Sequence, residues 1–149
     1  MPTKIRHPFI SFSLVFLQFA LIAVLLLLLP LKNSNPTYLV QLLSILLGLW
    51  AVKTMHLGHF NIIPDPMPDI ELVTTGPYQW IRHPMYASIL LFFLPMIIEH
   101  FSAINGAIYL LLGATLLIKL SYEERLLTET LNDYAIYQSR TSRLLPKIY

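Results

Sequence analysis

Long uncharged stretches alternate with short polar breaks along this chain. The first run, 9–29, carries no charge over 21 residues. At about 1.5 Å per residue it covers a hydrocarbon core about 30 Å thick. The polar turn Lys32-Asn33-Ser34-Asn35-Pro36 separates it from a second run, 38–57, which is uncharged until Lys53, where a long side chain can snorkel to the interface. A third run, 85–98, follows Pro84, a residue suited to the first turn of a helix, and contains Pro95, which predicts a kink near its end. The turn Glu99-His100-Phe101-Ser102 leads to a fourth run, 103–118. Both later runs are short for a full span, a mismatch that local bilayer thinning or a small tilt accommodates. The pattern predicts an all-α integral membrane bundle of four transmembrane helices at about 9–29, 38–57, 84–98 and 103–120. All four belong to one domain, 1–149, with a loop at 58–86 and a C-terminal helical tail at 121–149.

Composition agrees with a lipid solvent. Hydrophobic residues make up 56% of the chain, charged residues 12%, and the mean hydropathy is +0.63. A soluble globule of this size could not hide so much apolar side chain, so a secreted disulfide scaffold, a disordered tail and an ordinary cytosolic enzyme are excluded. Lys4 and Arg6 resemble the start of a signal peptide, but Leu29-Pro30-Leu31-Lys32 offers no small-residue cleavage site, and a retained anchor is expected. With four spans, nine of the ten Lys and Arg residues fall on one side and only Lys32 on the other. The positive-inside rule then predicts a multi-pass protein with both termini cytoplasmic, as in a bacterial inner membrane. The net charge of +2 does not signal nucleic acid, because the basic residues are scattered at the ends of apolar runs. There is no cysteine, which removes thiol-ligated metal sites.

Nearly all remaining polarity lies on the predicted cytoplasmic face. Alternating Pro64, Pro66 and Pro68 force extended backbone, and Gly76-Pro77 marks a turn. Tyr78, Trp80, Arg82 and Tyr86 then read either as an interfacial belt or as a site. Downstream, the segment from Lys119 to Leu127 continues the fourth helix. It places Leu120, Glu124, Leu127 and Leu131 on one stripe, with Glu123 one turn beyond Lys119 on the next. Two adjacent carboxylates therefore sit where a helix leaves lipid. They can form solvated pairs, Glu123 with Lys119 and Glu124 with Arg82 or Arg125, or they can serve a function. His56 and His59 share a helical spacing without a third regularly spaced ligand, so no metal site is expected. No phosphate-binding glycine loop, Ser-His-Asp order or dinucleotide fingerprint occurs.

The string Gly76-Pro77-Tyr78, Arg82-His83-Pro84-Met85-Tyr86, Glu123-Glu124, Tyr134, Tyr137 and Leu145-Pro146 resembles the isoprenylcysteine carboxyl methyltransferase and phospholipid N-methyltransferase superfamily. The resemblance covers about 72–146. It implies a membrane enzyme that binds S-adenosylmethionine at the cytoplasmic face without a Rossmann domain. By this likeness Tyr78, His83, Pro84, Met85 and Tyr86 line the cofactor pocket, backbone at Leu72 and Val73 lies beside it, and Glu123, with Glu124 next to it, binds the cofactor. Arg82 and Lys119 are the candidate catalytic residues. Lys119 precedes Glu123 by one turn and Arg140 follows the tyrosine pair, which makes both candidates for the acceptor's polar end, with plain snorkelling as the alternative. A carboxylate can take the cofactor's ammonium or ribose hydroxyls, His83 or Arg82 can answer its carboxylate, and Tyr78 or Tyr86 can face its sulfonium.

This chain departs from the family pattern at three places. Ser88 stands where a glycine is frequent, two residues after the motif tyrosine. Lys119 replaces an arginine fork with a point charge. Asn132 stands for glycine in the turn before Tyr134, where asparagine tolerates a left-handed cap. The reading favoured is S-adenosylmethionine-dependent methyl transfer to a lipid-like or isoprenoid carboxylate or amine. A nicotinamide-dependent lipid reductase shares the Arg-His-Pro region but is larger, and a non-catalytic lipid-binding protein would explain the belt and basic tail without turnover. The expected partners are the bilayer and a hydrophobic small-molecule acceptor, with no nucleic acid.

Overall fold

The computed structural model describes residues 7–55, 63–64, 66 and 70–149. Lys4, Arg6, His56 and His59 lie outside the described residues. Among those described there are five α-helices: α1 Pro8–Leu28, α2 Asn35–Met55, α3 Pro84–Glu99, α4 Ala103–Thr130 and α5 Tyr134–Arg140, with a 3₁₀ turn at Gly76–Gln79.

Local chemistry sets the helix ends. Pro8 and Pro84 occupy first-turn positions, where a missing N–H costs nothing. Ser102 caps α4 by accepting a hydrogen bond from the Asn105 amide at 3.1 Å. At the far end of α3, the Glu99 carboxylate accepts from the Ser34 amide at 2.7 Å and from the Ser34 and Thr37 hydroxyls at 2.9 and 2.5 Å. It thereby places a negative charge at the start of α2, where the helix dipole favours one. α3 runs on through Pro95 and ends four residues later, at Glu99. The turn after α4 is made by Leu131 in an extended conformation. Asn132 does not take the expected left-handed cap, since the non-glycine residue with positive φ among those described is Lys147.

α2 packs chiefly on α3 and α1 on α4, and contacts between α3 and α4 join the two pairs. The seam is filled by Leu21 and Leu25 of α1, Phe93, Met96 and Ile97 of α3, and Leu112, Leu116 and Leu120 of α4. Outward-facing Phe16, Leu27, Leu39, Leu49 and Leu110 stay exposed. In water that surface would be untenable; in hydrocarbon it is the expected face.

Three helices, α1, α2 and α4, are long and apolar enough to cross a membrane, whereas α3 is apolar but has 16 residues. Four spans were expected, the third and fourth of them short, and the brevity of α3 traces to contacts made far along the chain. The backbone ahead of α3 is tied to the C-terminal tail, so loop and tail occupy the end that another helical turn would fill. α4 deviates in the opposite sense. Its 28 residues measure about 42 Å against a core of about 30 Å, so its last two turns project beyond the apolar layer.

Candidate active site

The projecting part of α4 forms one wall of a cavity of about 410 Å³. The loop supplies Ile70, Glu71, Leu72 and Val73, the 3₁₀ turn Tyr78, and the start of α3 His83, Met85 and Tyr86. Lys119 and Glu123 come from α4, Tyr134 and Tyr137 from the α5 region, and Gln18 from α1. A mostly apolar cleft of this volume with a few convergent polar groups suits a small organic molecule.

Backbone constraints bring these segments together. Gly76 has φ +57°, and a Cβ there would lie 2.5 Å from Thr54 Oγ1, so only glycine lets the 3₁₀ turn rest on the end of α2. The tail then stitches onto the segment that follows. Ser142 N–H donates to Trp80 O at 3.0 Å, Arg82 N–H to Ser142 O at 2.8 Å, and His83 N–H to Arg143 O at 3.0 Å, around a single parallel bridge between Ile81 and Ser142. Tyr137 adds a hydrogen bond from its hydroxyl to Tyr78 O at 2.7 Å.

The two adjacent glutamates are put to different uses. Glu124 is 3% exposed and takes Arg82 Nε at 2.6 Å and His83 Nε2 at 3.1 Å on one oxygen, with Arg143 Nε at 3.2 Å on the other. Arg82 in turn donates through Nη1 to Gln138 O at 3.1 Å and to Thr141 O. Glu124 is thus the hub that holds loop, α4 and tail together, and it does not line the cavity. Glu123 does. It accepts from the Tyr86 hydroxyl at 3.0 Å and lies 3.7 Å from His83 Nδ1. The His83 and Tyr86 rings stack at 5.4 Å between centroids, 3° from parallel, which fixes both against one wall.

Tyr78 adds a polar group with spare capacity. Its hydroxyl is buried and, among the described residues, has no hydrogen-bond partner. Burial first, and the Glu123 charge second, push its phenol well above the usual range, so it remains a neutral donor. Tyr134 and Tyr137 are pushed up by burial in the same way. Trp80, by contrast, is half exposed and meets Trp50 edge to face at 6.1 Å. Trp80 thus faces outward, while Tyr78 and Tyr86 line the cavity.

Of the residues singled out in the sequence, Leu72, Val73, Tyr78, Arg82, His83, Met85, Tyr86, Lys119 and Glu123 line the cavity together. Pro84 is buried beside it as the first residue of α3. Arg140 is exposed on α5, away from the lining. Lys119 is 1% exposed, donates from Nζ to Gln18 Oε1 at 2.8 Å and lies 5.2 Å from the centre of the Tyr86 ring. A solvated i,i+4 pair does exist, but it is Arg125 with Glu129 at 3.6 Å. Ser88 bonds to Met85 O at 2.7 Å, and Gly48 of α2 faces it, where a Cβ would stand 3.0 Å from Ser88 Oγ. The missing side chain at Gly48 lets α2 and α3 approach closely beside Ser88. Sequence reasoning passed over Gln18 and Gly48. The available signal for Gln18 was an amide at the centre of an otherwise uncharged apolar run.

A family model described as phospholipid methyltransferase matches residues 36–133, about two-thirds of the chain, from the start of α2 to the turn after α4. The uncharacterized protein YpbQ of Bacillus subtilis (strain 168) is 28% identical over 81 residues, which are 54% of this chain and 48% of that protein. The aligned part of the chain thus spans about half the length of that curated relative.

Proposed function

The chain belongs to the phospholipid methyltransferase family, and we propose that it transfers a methyl group from S-adenosylmethionine to a hydrophobic acceptor held in the membrane. The observation that carries this reading is the cavity itself, where an acidic side chain, Glu123, and an unpartnered buried hydroxyl, that of Tyr78, meet in otherwise apolar walls. S-adenosylmethionine fits that donor set, because it presents an ammonium and ribose hydroxyls to a carboxylate and further acceptors to a phenol. When bound it supplies a methyl group activated by a sulfonium. Glu123 and Tyr78 would hold it, with the Tyr86 and His83 rings against it and the extended backbone at Leu72 and Val73 alongside.

The residues of this chain contribute orientation, dryness and control of charge. Arg82 is engaged by Glu124 and by tail carbonyls, so its part is to lock the tail over the cavity and not to meet the reacting atoms. Glu124 is likewise occupied. A carboxylate acceptor is already ionised and needs no base. An amine acceptor must lose a proton, for which His83 and Glu123 are the groups at hand. Lys119, at the apolar end of the cavity, is placed for an acceptor's polar group.

The same reading sets the cavity on the cytoplasmic side with both termini, in line with the distribution of Lys53, Arg82, Arg125, Arg140, Arg143 and Lys147 against Lys32. α3 then crosses as a fourth, shorter span. Titration of the purified protein with S-adenosylmethionine and, separately, with NADPH tests the reading. Saturable S-adenosylmethionine binding that is lost in Glu123→Gln is expected. Binding of NADPH in place of S-adenosylmethionine would assign the cavity to a reductase instead.

A further inference from the structure

Gln18 stands midway along α1, ten residues or about 15 Å from Pro8, in a helix otherwise made of apolar and small hydroxyl residues. An amide at that depth is costly unless it is bonded, and Gln18 is 5% exposed. Its partner is the Lys119 ammonium, 2.8 Å away and 101 positions later in the chain. Both residues line the cavity.

The bond matters because of what Lys119 does not do. Glu123 lies one turn further along α4 and would be the natural counter-ion, yet the Lys119 hydrogen bond goes to a neutral amide, and its other close neighbour is the Tyr86 ring. A lysine carries three donors. One is spent on Gln18, a neutral acceptor that leaves the others for a ligand. Arg82 of the cavity lining is paired with Glu124, whereas Lys119 has no carboxylate within ion-pair distance among the described residues.

We propose that Gln18 is a positioning residue: it fixes the Lys119 amine at this end of the cavity, so that the cavity accepts there a lipid-like molecule with an anionic oxygen group, a carboxylate or a phosphate. The inference rests on the methyltransferase reading for its consequence in turnover, but its binding component does not. It also makes α1 part of the site, although α1 precedes the region matched by the family.

The competing explanation is that Gln18 merely glues α1 to α4, as polar residues do between membrane helices. Gln18→Glu separates the two. A carboxylate at this position pairs with Lys119 and strengthens the helix contact while cancelling the free charge. Binding of oleate, oleyl phosphate, oleyl alcohol and oleylamine to the full chain in phosphatidylcholine nanodiscs would be measured by displacement of a fluorescent fatty acid, alongside thermal midpoints. The wild type should prefer one or both anionic amphiphiles over oleyl alcohol and oleylamine by at least tenfold, with the oleate and oleyl phosphate arms telling carboxylate from phosphate. Gln18→Glu should lose that preference while its thermal midpoint stays at or above the wild-type value. Gln18→Leu should lose the preference too. Wild-type anion preference in Gln18→Glu, or no preference in the wild type, overturns the proposal. Failure of every protein to bind S-adenosylmethionine, with the anion preference still following Gln18, overturns the methyltransferase reading and leaves this one standing.

Discussion

Exchanging each of the two adjacent glutamates for glutamine should give opposite results. Glu124 takes three charged or ring donors from Arg82, His83 and Arg143, all within 3.2 Å, and Arg82 is itself buried to 9% side-chain exposure. Removing one partner from a buried ion pair costs about 3–5 kcal/mol, because the other charge stays desolvated. Glutamine still offers one oxygen to Arg82 Nε, and Arg82 keeps its bond to Gln138 O, so the low end, about 3 kcal/mol, is expected for Glu124→Gln. For a chain of this size that corresponds to a fall in thermal midpoint of roughly 6–12 °C. Glu123→Gln turns one charge-assisted hydrogen bond, from Tyr86, into a neutral one, a loss of about 1 kcal/mol, and should move the midpoint by no more than a few degrees. It removes the charge facing the cavity, however, and should weaken S-adenosylmethionine binding at least tenfold. The assays are thermal unfolding in detergent and calorimetric titration of the same preparations. Adding Arg82→Met to Glu124→Gln should recover part of the lost stability, since the buried orphaned guanidinium is gone and Arg143, a third exposed, can turn to solvent. Equal midpoints for the two single variants, or a binding loss confined to Glu124→Gln, would refute the division of roles.

Three further outcomes follow from the geometry. Gly76→Ala forces a Cβ into a left-handed position against Thr54 and should lower the midpoint and loosen the 3₁₀ turn, measurable as faster amide exchange at Tyr78 and Trp80, whereas Gly113→Ala, where a Cβ meets its nearest neighbour at 4.0 Å, should not. Because Tyr78, Tyr134 and Tyr137 have phenols raised by burial above their ordinary value of 10.0, folded and unfolded states bind the same protons below that pH. Stability should therefore be insensitive to these residues up to about pH 10 and decline above it as the unfolded chain ionises first; phenolate absorbance that Tyr78→Phe removes from the folded protein below pH 10 would contradict this. Reporter fusions at Asn33 and Phe101 should read opposite to a fusion at Tyr149, and the same sign at all three would invert the assignment of the cavity to the cytoplasmic side.

The helices were legible because their causes are local. An uncharged run of 21 residues has few alternatives to a membrane helix, and Pro8, Pro84 and Ser102 mark helix starts through their own backbone chemistry. The motif string likewise marked Tyr78, Arg82, His83, Met85, Tyr86, Glu123, Tyr134 and Tyr137, which share one cavity. The sequence did not reveal which of two neighbouring side chains faces that cavity. Residues 123 and 124 are about 100° apart around α4, and the helix is apolar on nearly every side, so its rotation follows only from its seating against α1 and the tail. The partners that settle the matter, Gln18 for Lys119 and Arg82 and Arg143 for Glu124, lie 101, 42 and 19 positions away, beyond any helical period. The short third span has the same kind of origin, in backbone bonds from Arg82 and His83 to a tail some 60 residues later. In a chain whose helices are apolar all round, hydrophobicity dictates that they enter the membrane, while a few buried polar bonds across long loops decide how they are turned and hence which carboxylate faces the cavity.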